Sequence, residues 1–343
     1  MTEIVDAIRV LTGIPGTSGD EGKVRSAIIE MIAPYADEIQ TDPLGNLIVF
    51  KKGKATPKNR ILYCAHMDEV GFIITHIEDS GLLRFAPVGG IDSRVVVGKA
   101  VEVGENRLRG VIGTKAMHHQ DEKEREEAVP LDKLFIDIGA KDKTDALAYV
   151  SPGGRAVFYS EFREFGDGCI LSKALDDRAG CALLVQLIKS ELPYDSWFAF
   201  TVQEETGCTG AVTAGYAAAP DISIVVEATT ASDIAGVSAD KQVCALGKGP
   251  VISFMDKGAV YDAGLYSLAL KTAKENGIPA QPKSGVFGGN DSRSLQTARD
   301  GARILAVSLP CRYIHSPSNM LCADDIGRTY ELLFELNGNL QEL

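Results

Sequence analysis

The chain is 343 residues long, and its 45% hydrophobic and 24% charged content is that of a globular protein with a sizeable core. A formal net charge of −12 and a pI near 5.0 argue against partners that need a basic surface, such as nucleic acids or anionic membranes. The first residues carry acids where a signal peptide needs a basic region, and no apolar run could span a bilayer. Seven scattered cysteines without a C-x-x-C pair predict reduced thiols and a cytoplasmic location.

The N-terminal part alternates helical and strand patterns. We predict a helix over 2–11 and a second helix opened by a capping box, in which Ser18 is followed three residues later by Glu21. Strands are predicted at 44–50 and 61–66. The second of these is almost wholly apolar, which indicates burial on both faces of a mixed or parallel sheet.

The middle of the chain has a different pattern, with short alternating strands separated by Gly, Pro and Asp. Such closely spaced strands favour a small β domain, and only the polar region 133–145 has a helical character. The highly charged segment 120–127 is most simply a solvated loop. The predicted strands are 72–77, 82–86, 94–103, 108–113, 134–138 and 157–158.

From about residue 165 the alternation of helices and strands returns. The simplest topology is one α/β domain made of residues 1–69 and 164–343, with a β domain inserted at 70–163. In this last part we predict helices over 178–189, 207–219, 259–275 and 324–340, and strands over 196–203, 222–226 and 302–309.

A histidine and an aspartate end the apolar strand 61–66, in the pattern His66-x-Asp68. Side chains two residues apart on an extended backbone share a face. Asp68 could therefore hold one ring nitrogen of His66 while the other nitrogen binds a metal ion. A structural histidine and aspartate that only hydrogen-bond to each other at the end of a strand would show the same sequence pattern.

Further acids and a histidine occur where apolar runs give way to turns. In open α/β sheets, ligands bind outside the carboxyl ends of the strands, so such residues stand where a site would form. Acids can also end strands simply because they are polar, but their joint occurrence favours a shared site. The candidates are His66, Asp176, Asp177, Glu204, Glu205, Glu227 and His315.

The neighbours Glu204 and Glu205 raise a geometric question, because adjacent residues of a strand point to opposite faces. Both can reach one site only if the strand has ended in a bend, which Gly207 makes feasible. Asp176 and Asp177 raise the same question at the start of a helix, where negative charge is also favoured by the helix dipole.

Two imidazoles and three carboxylates suit zinc first, with cobalt or manganese as alternatives, and suit calcium or copper poorly. Two divalent ions per subunit, roughly 3.5–4 Å apart, would share a carboxylate and a water whose pKa falls to around 7. A carboxylate outside the ligand set could then move the proton. The pattern predicts a two-metal peptidase, and the chain contains no H-E-x-x-H, G-x-S-x-G or P-loop motif.

Short motifs along the whole chain carry a family resemblance. They are GIPGTSG at 13–19, AHMDEVG at 65–71, LDDR at 175–178, QEETG at 203–207 and HSP at 315–317. The chain resembles the M42 family of co-catalytic metallo-aminopeptidases, the group of glutamyl aminopeptidase, the tetrahedral (TET) aminopeptidases and proteins once labelled endoglucanase M.

The resemblance implies a set of metal ligands. His66 and Glu227 would bind one ion, Glu205 and His315 would bind the other, and Asp176 would bridge both. Glu227 departs from the family pattern, because many members have aspartate at that position.

The resemblance also implies roles for three neighbouring residues. Glu204 would be the general base, and Asp68 would orient His66 without binding metal itself. A cis peptide bond is expected between Asp176 and Asp177. The function implied is the removal of N-terminal residues from short peptides.

At the level of fold, the resemblance implies a three-layer αβα catalytic domain with a mixed sheet, of the zinc-peptidase type. A PA-like β-barrel inserted into it would mediate dimerisation. Family members commonly assemble from dimers into hollow tetrahedral dodecamers whose active sites face the interior. His118, His119 and the segment 120–127 could line a subunit boundary, although a solvated loop is the simpler account.

Specificity and two competing functions stay open. Arg293, in the run 288–293, could pair with an acidic N-terminal residue or could be purely structural. The same centre could deacylate N-acylated amino acids, or the chain could be a catalytically silent scaffold. A glycosidase function is unsupported, because a glycosidase needs two free carboxylates that flank a sugar, whereas the carboxylates of this chain are assigned to metal.

Overall fold

The structure of the protein is a computed structural model that describes residues 1–342, with the side chains of residues 123, 124 and 342 excepted. Its α-helices are α1 Thr2–Thr12, α2 Gly22–Ile32, α3 Glu122–Glu126, α4 Lys143–Leu147, α5 Leu175–Lys189, α6 Thr209–Ala218, α7 Ala263–Glu275, α8 Ser292–Leu295 and α9 Ala323–Asn339. Its strands are β1 Glu38–Thr41, β2 Leu47–Lys51, β3 Ile61–His66, β4 Gly71–Ile77, β5 Leu83–Val88, β6 Ala100–Val103, β7 Leu108–Gly113, β8 Phe135–Asp137, β9 Arg155–Phe158, β10 Arg163–Phe165, β11 Cys169–Ser172, β12 Ser196–Thr201, β13 Ile222–Thr230, β14 Val251–Ile252, β15 Gln281–Pro282, β16 Arg303–Cys311 and β17 Asn319–Cys322.

A mixed sheet forms the centre of the molecule, with the strand order β1-β2-β12-β3-β13-β16-β14-β15. The four middle strands β12, β3, β13 and β16 run parallel to one another, whereas β2 and β14 pair antiparallel with their inner neighbours. Every residue of β3 is buried, as its unbroken apolar run predicts. The predictions of an α/β fold and a mixed sheet are confirmed.

Helices cover both faces of this sheet. Alternate residues of β3 point to opposite sides, so Tyr63 packs into a core with α1, α2, α5, α7 and α9. Leu62 packs on the other side, into a smaller core with α6 and α8. The sheet is therefore the middle of three layers, and the ends of its strands are left free to form a site.

A closed β-barrel lies between β3 and β10 in the chain, with the strand order β4-β5-β8-β7-β6-β9. Its neighbouring strands are antiparallel, and its core holds Phe72 in edge-to-face contact with Phe85 and Phe158 at centroid distances of 4.9 and 5.2 Å. The predicted β domain thus corresponds to a barrel. The predicted strand 94–103 is shorter, because a 3₁₀ turn occupies Ser93–Val95 before β6.

The predicted capping box is wrong. Helix α2 begins at Gly22, Glu21 is its N-cap residue, and no side-chain bond caps it. Ser18 Oγ donates instead to Asp68 Oδ2 at 2.6 Å, and Glu21 Oε1 accepts from the amides of Gly19 and Gln203. Both side chains are engaged in tertiary contacts, which a local spacing pattern does not encode.

The strand predicted at 222–226 is too short. In the structure β13 pairs with β16 as far as Thr230, so Glu227 lies inside a strand rather than at its end. The strand was predicted to end too early because the charged Glu227 was taken as the residue that follows it.

The predicted helix 259–275 begins later, at Ala263, where the Asp262 carboxylate accepts from the amide of Leu265.

The charged segment 120–127 contains the short helix α3 rather than a continuous loop. Its described side chains from Asp121 to Glu127 are exposed, as the prediction of a solvated segment requires, and those of residues 123 and 124 lie outside the described part.

The cysteines are free thiols. Within residues 1–342, no helix is both long enough and apolar enough to cross a membrane.

A buried ion-pair cluster ties the N-terminal loop to the ends of β3 and β11. Lys173 Nζ donates to both carboxylate oxygens of Glu69, at 2.7 and 2.8 Å. The Arg178 guanidinium lies 3.6 Å from the same carboxylate and donates to the carbonyls of Leu11 and Gly16. The three charged residues are at most 3% exposed, so their charges depend on one another.

We predict that Glu69→Gln lowers the free energy of unfolding by about 3–5 kcal/mol, because Lys173 keeps a buried charge without its anion. Urea denaturation measures the effect. The matched control is Glu164→Gln, which removes the exposed partner of Arg9 and should change stability far less. Equal losses in the two variants would contradict the importance of this buried cluster.

Candidate metal centre

The residues singled out from the sequence meet at one edge of the sheet. His66 is the last residue of β3, and Glu204 and Glu205 follow β12. Glu227 lies within β13, and His315 follows β16. Because these strands are parallel, their carboxyl ends lie side by side, and the start of α5 brings the aspartates of the pair 176–177 to the same place.

Asp176 lies between two histidine–glutamate pairs. Its Oδ1 is 3.4 Å from His66 Nε2, which is 3.3 Å from Glu227 Oε1. Its Oδ2 is 3.4 Å from His315 Nε2, which is 3.1 Å from Glu205 Oε2. Each oxygen of one carboxylate therefore faces a different imidazole, which is the arrangement that a bridging carboxylate needs.

Asp177 also lies close to His66 and Glu227, but its carboxylate accepts hydrogen bonds from backbone amides. Oδ2 accepts from the amide of His66 at 3.2 Å, and Oδ1 accepts from the amide of Gly180 at 3.1 Å. These bonds join the end of β3 to the start of α5. The peptide bond between Asp176 and Asp177 is cis, as the family resemblance leads us to expect.

Three buried carboxylate oxygens at this edge have no hydrogen-bond partner among the described residues, and they are Asp176 Oδ1, Glu205 Oε1 and Asp291 Oδ1. An unpaired buried oxygen costs free energy unless something supplies the missing interaction. Carboxylates and imidazoles that converge in this way suit a divalent ion of the zinc type. The residues present therefore fit a metal centre.

The second ring nitrogen of each histidine is held by a backbone carbonyl. His66 Nδ1 lies 3.1 Å from the carbonyl oxygen of Asp68 and 3.4 Å from its Oδ1. His315 Nδ1 lies 2.8 Å from the carbonyl oxygen of Gly90, which follows the barrel strand β5. These contacts turn both Nε2 atoms towards Asp176. The contact of Gly90 was not predicted, because a backbone carbonyl has no sequence signature.

The bend that the adjacent glutamates require is present and is anchored by Asp68. Strand β12 has already ended, and Gln203 adopts a positive φ of 57°. The fully buried Asp68 carboxylate accepts from the amide of Glu204 at 3.0 Å, from the amide of Glu205 at 3.1 Å and from Ser18 Oγ at 2.6 Å. This bond pattern lets both side chains reach the same edge.

Glu204 stands beside the two histidine–glutamate pairs without joining either. Its Oε2 is 4.0 Å from His66 Nε2, and its Oε1 accepts from Cys208 Sγ at 3.4 Å. Cys208 and Asp291 complete a group of possible ligand atoms around Glu204. Neither residue was singled out from the sequence, since a lone cysteine and an aspartate in a loop carry no distinctive spacing.

Crowding of the acids shifts their pKa values. Burial raises the pKa of Glu227 to about 8 and that of Glu204 well above its usual range. Although burial opposes it, the two imidazoles that face the Asp176 carboxylate lower its pKa. Burial likewise opposes a charge on His315, but Asp176 and Glu205 raise its pKa to about 11. The carboxylates thus draw positive charge to this edge, as a cation would supply it.

Arg293, one candidate for recognising an acidic substrate, lies elsewhere. Its side chain is exposed on α8 and packs beside Gly258. A cavity of about 140 Å³ does open next to Glu227 and His315, and the described residues that line it do not include Arg293. Arg293 therefore lies outside the cavity that adjoins the centre.

Comparison with known proteins agrees with this geometry. A family model described as M42 glutamyl aminopeptidase matches residues 45–332. Lysyl aminopeptidase of Pyrococcus furiosus is 31% identical over 93% of this chain and 92% of its own. A TET aminopeptidase from a marine sediment archaeon of the Thaumarchaeota is 32% identical, covers 99% of this chain and 97% of its own, and has a TM-score of 0.94. The TET1 peptidase of Pyrococcus horikoshii is 36% identical, with 97% and 99% coverage and a TM-score of 0.85. The chain therefore belongs to the M42 peptidase family, and it is a metal-dependent aminopeptidase that hydrolyses peptide bonds.

Proposed function

We propose that the chain is a co-catalytic two-metal aminopeptidase that removes N-terminal residues from short peptides. The observation that supports this most directly is the Asp176 carboxylate, whose two oxygens each face a separate histidine–glutamate pair at 3.4 Å. A single-metal site would need only one such pair. Two pairs that share one carboxylate suit two ions.

In this proposal His66 and Glu227 hold one ion, His315 and Glu205 hold the other, and Asp176 bridges them. Zinc is the proposed metal, with cobalt or manganese as alternatives. When bound, the ions would polarise the scissile carbonyl and lower the pKa of a water molecule to about 7. The extra methylene of Glu227, relative to the aspartate of many relatives, still leaves its Oε1 3.3 Å from His66 Nε2.

Glu204 is the proposed general base. Its Oε1 is held by Cys208, so Oε2 is the oxygen that faces the centre and can take a proton from the attacking water. The same carboxyl group can then give that proton to the leaving amine. Asp68 is a positioning residue, because it holds the bend beneath Glu204 and lies against His66 Nδ1.

We predict that Glu204→Gln lowers kcat by about 10²–10⁴-fold, because the amide cannot take the proton from water. Metal content should stay near two ions per chain, since Glu204 lies outside both ligand pairs. An aminoacyl-anilide assay and elemental analysis of the same sample measure both quantities.

The matched control for this variant is Glu331→Gln, which changes an exposed acid on α9. It should keep both activity and metal content. Normal turnover in Glu204→Gln would refute the assignment of the base. An N-acetylated anilide should resist cleavage by the wild-type protein, because an aminopeptidase needs a free amine, whereas a deacylase would accept a blocked amine.

We also predict that metal binding at pH 7 releases protons. Burial raises the pKa of Glu227 to about 8, and neighbouring carboxylates raise that of His315 to about 11. Both groups are therefore protonated at pH 7 before metal binds, and they must lose those protons to become ligands. Metal affinity should therefore rise with pH through pH 8, where Glu227 loses its proton, and keep rising above it, because the pKa of His315 is about 11. Zinc titration calorimetry in buffers of different ionisation enthalpy counts the protons, and a count of zero would contradict the proposed ligand set.

The proposed assembly is drawn from the relatives. The TET1 peptidase of Pyrococcus horikoshii can assemble into a tetrahedron or a large octahedral shell. We propose that residues 70–163 form a dimerisation domain inserted between the two parts of a catalytic domain, residues 1–69 and 164–343. Dimers would then build a tetrahedral dodecamer. An enclosed chamber would admit short peptides, and the free cysteines suit a reducing cytoplasm.

We predict a native mass of about twelve times the 36.6 kDa of one chain, because the dimers close into a tetrahedron. Light scattering coupled to size-exclusion chromatography measures this mass directly. A protein that elutes as a monomer at micromolar concentration, while remaining active, would contradict the proposed assembly and would leave the proposed metal centre unaffected.

A further inference from the structure

A small three-stranded sheet, with the strand order β10-β11-β17, brings two cysteines together. Its strands β11 and β17 pair antiparallel, with Cys169 opposite Cys322 and Ile170 opposite Leu321. The two cysteines are 153 positions apart in the chain, so no local spacing pattern marks them as neighbours. Only the pairing of the two strands places one thiol across from the other.

Both cysteine side chains lie on the outer face of this strand pair. Residues directly opposite each other on paired strands point to the same face, and the next residue along each strand points to the other face. Ile170 and Leu321, at most 1% exposed, belong to the hydrophobic core. Cys169 and Cys322 are half-buried free thiols, so both remain partly accessible to solvent.

The hydrogen bonds between the strands show which kind of pair the cysteines form. The amide of Ala323 donates to the carbonyl oxygen of Gly168 at 2.8 Å, one position beyond the cysteines on each strand. Cys169 and Cys322 are therefore a non-hydrogen-bonded pair, in which Cα atoms lie about 4.5 Å apart and side chains come closest. Disulfides span Cα separations of about 4.4–6.8 Å. The backbone is thus already placed for a covalent link.

We propose that Cys169 and Cys322 form a reversible disulfide, which links β11 to β17 when the surrounding thiol pool becomes oxidised. Formation of this bond does not depend on the proposed enzymatic function. Strand β11 ends four residues before Asp176, and β17 begins four residues after His315. The disulfide would therefore hold together two segments that carry proposed metal ligands.

The oxidant in this proposal is a small disulfide of the glutathione type. The thiolate of one cysteine attacks a sulfur of that disulfide, which releases one small thiol and leaves a mixed disulfide on the protein. The thiolate of the other cysteine then attacks the protein-bound sulfur and displaces the second small thiol. Two protein thiols are oxidised, one small disulfide is reduced to two thiols, and the cysteine protons end on those thiols. A reduced pool reverses both steps.

Burial distinguishes this pair from the remaining cysteines. The other five are at most 7% exposed, and they are Cys64, Cys181, Cys208, Cys244 and Cys311. Burial also raises the pKa of the Cys322 thiol, which slows its attack. The reduced form then gains no stability as a thiolate, so the equilibrium favours the disulfide. Two cysteines that only pack side by side would show the same register, and reaction with an oxidant separates the two roles.

Glutathione buffers of defined composition test the link on the full-length protein. In a mainly oxidised buffer the wild-type protein should lose two of its seven thiols, and a mainly reduced buffer should restore them. Peptide mapping without reductant should show one pair of peptides joined through Cys169 and Cys322. Cys169→Ser should lack this pair, whereas the matched control Cys244→Ser, which removes a buried thiol, should keep it.

The linked wild-type protein should also melt about 5 °C above the reduced protein, because a bond that closes a loop of about 150 residues restricts the unfolded chain. Cys169→Ser should show no such difference between the two buffers. Equal melting temperatures of the linked and reduced wild-type protein would refute a stabilising role for the bond.

Seven free thiols in the oxidised buffer would overturn the inference and leave the aminopeptidase intact. The same holds for glutathione adducts on Cys169 and Cys322 without a link, and for a link between two chains. The link is sought in the wild-type protein, so a serine variant that fails to fold does not affect this outcome.

Discussion

The position of one carboxylate, that of Asp176, sets the geometry of the whole centre. Its two oxygens connect two histidine–glutamate pairs that come from different strands, so a small displacement would detach one pair. The surrounding structure fixes it from both sides. Asp177 bonds to the backbone of His66 at the end of β3, and the buried pair of Lys173 and Glu69 joins the preceding segment to the residues after β3. Rigid support of this kind is what a preorganised site requires.

Asp68 performs a similar function for the second half of the centre. Its carboxylate accepts three hydrogen bonds, and two of them come from the amides of the adjacent residues Glu204 and Glu205. A strand would point these two side chains apart. The bonds to Asp68 stabilise a bend in which one glutamate can bind metal while its neighbour exchanges protons. The proposed division of labour between the two glutamates would therefore depend on Asp68, which is assigned neither role.

The sequence predicts those features that follow from local periodicity. The apolar run of β3 predicts a buried strand, and the acids at the ends of parallel strands predict a shared site. What the sequence could not supply are contacts between distant segments. The local pattern predicts a helix cap at Ser18, which bonds instead to Asp68, and the support of His315 by the carbonyl of Gly90 joins residues 225 positions apart. Such pairings depend on the packed barrel and sheet, and neither partner has a distinctive spacing.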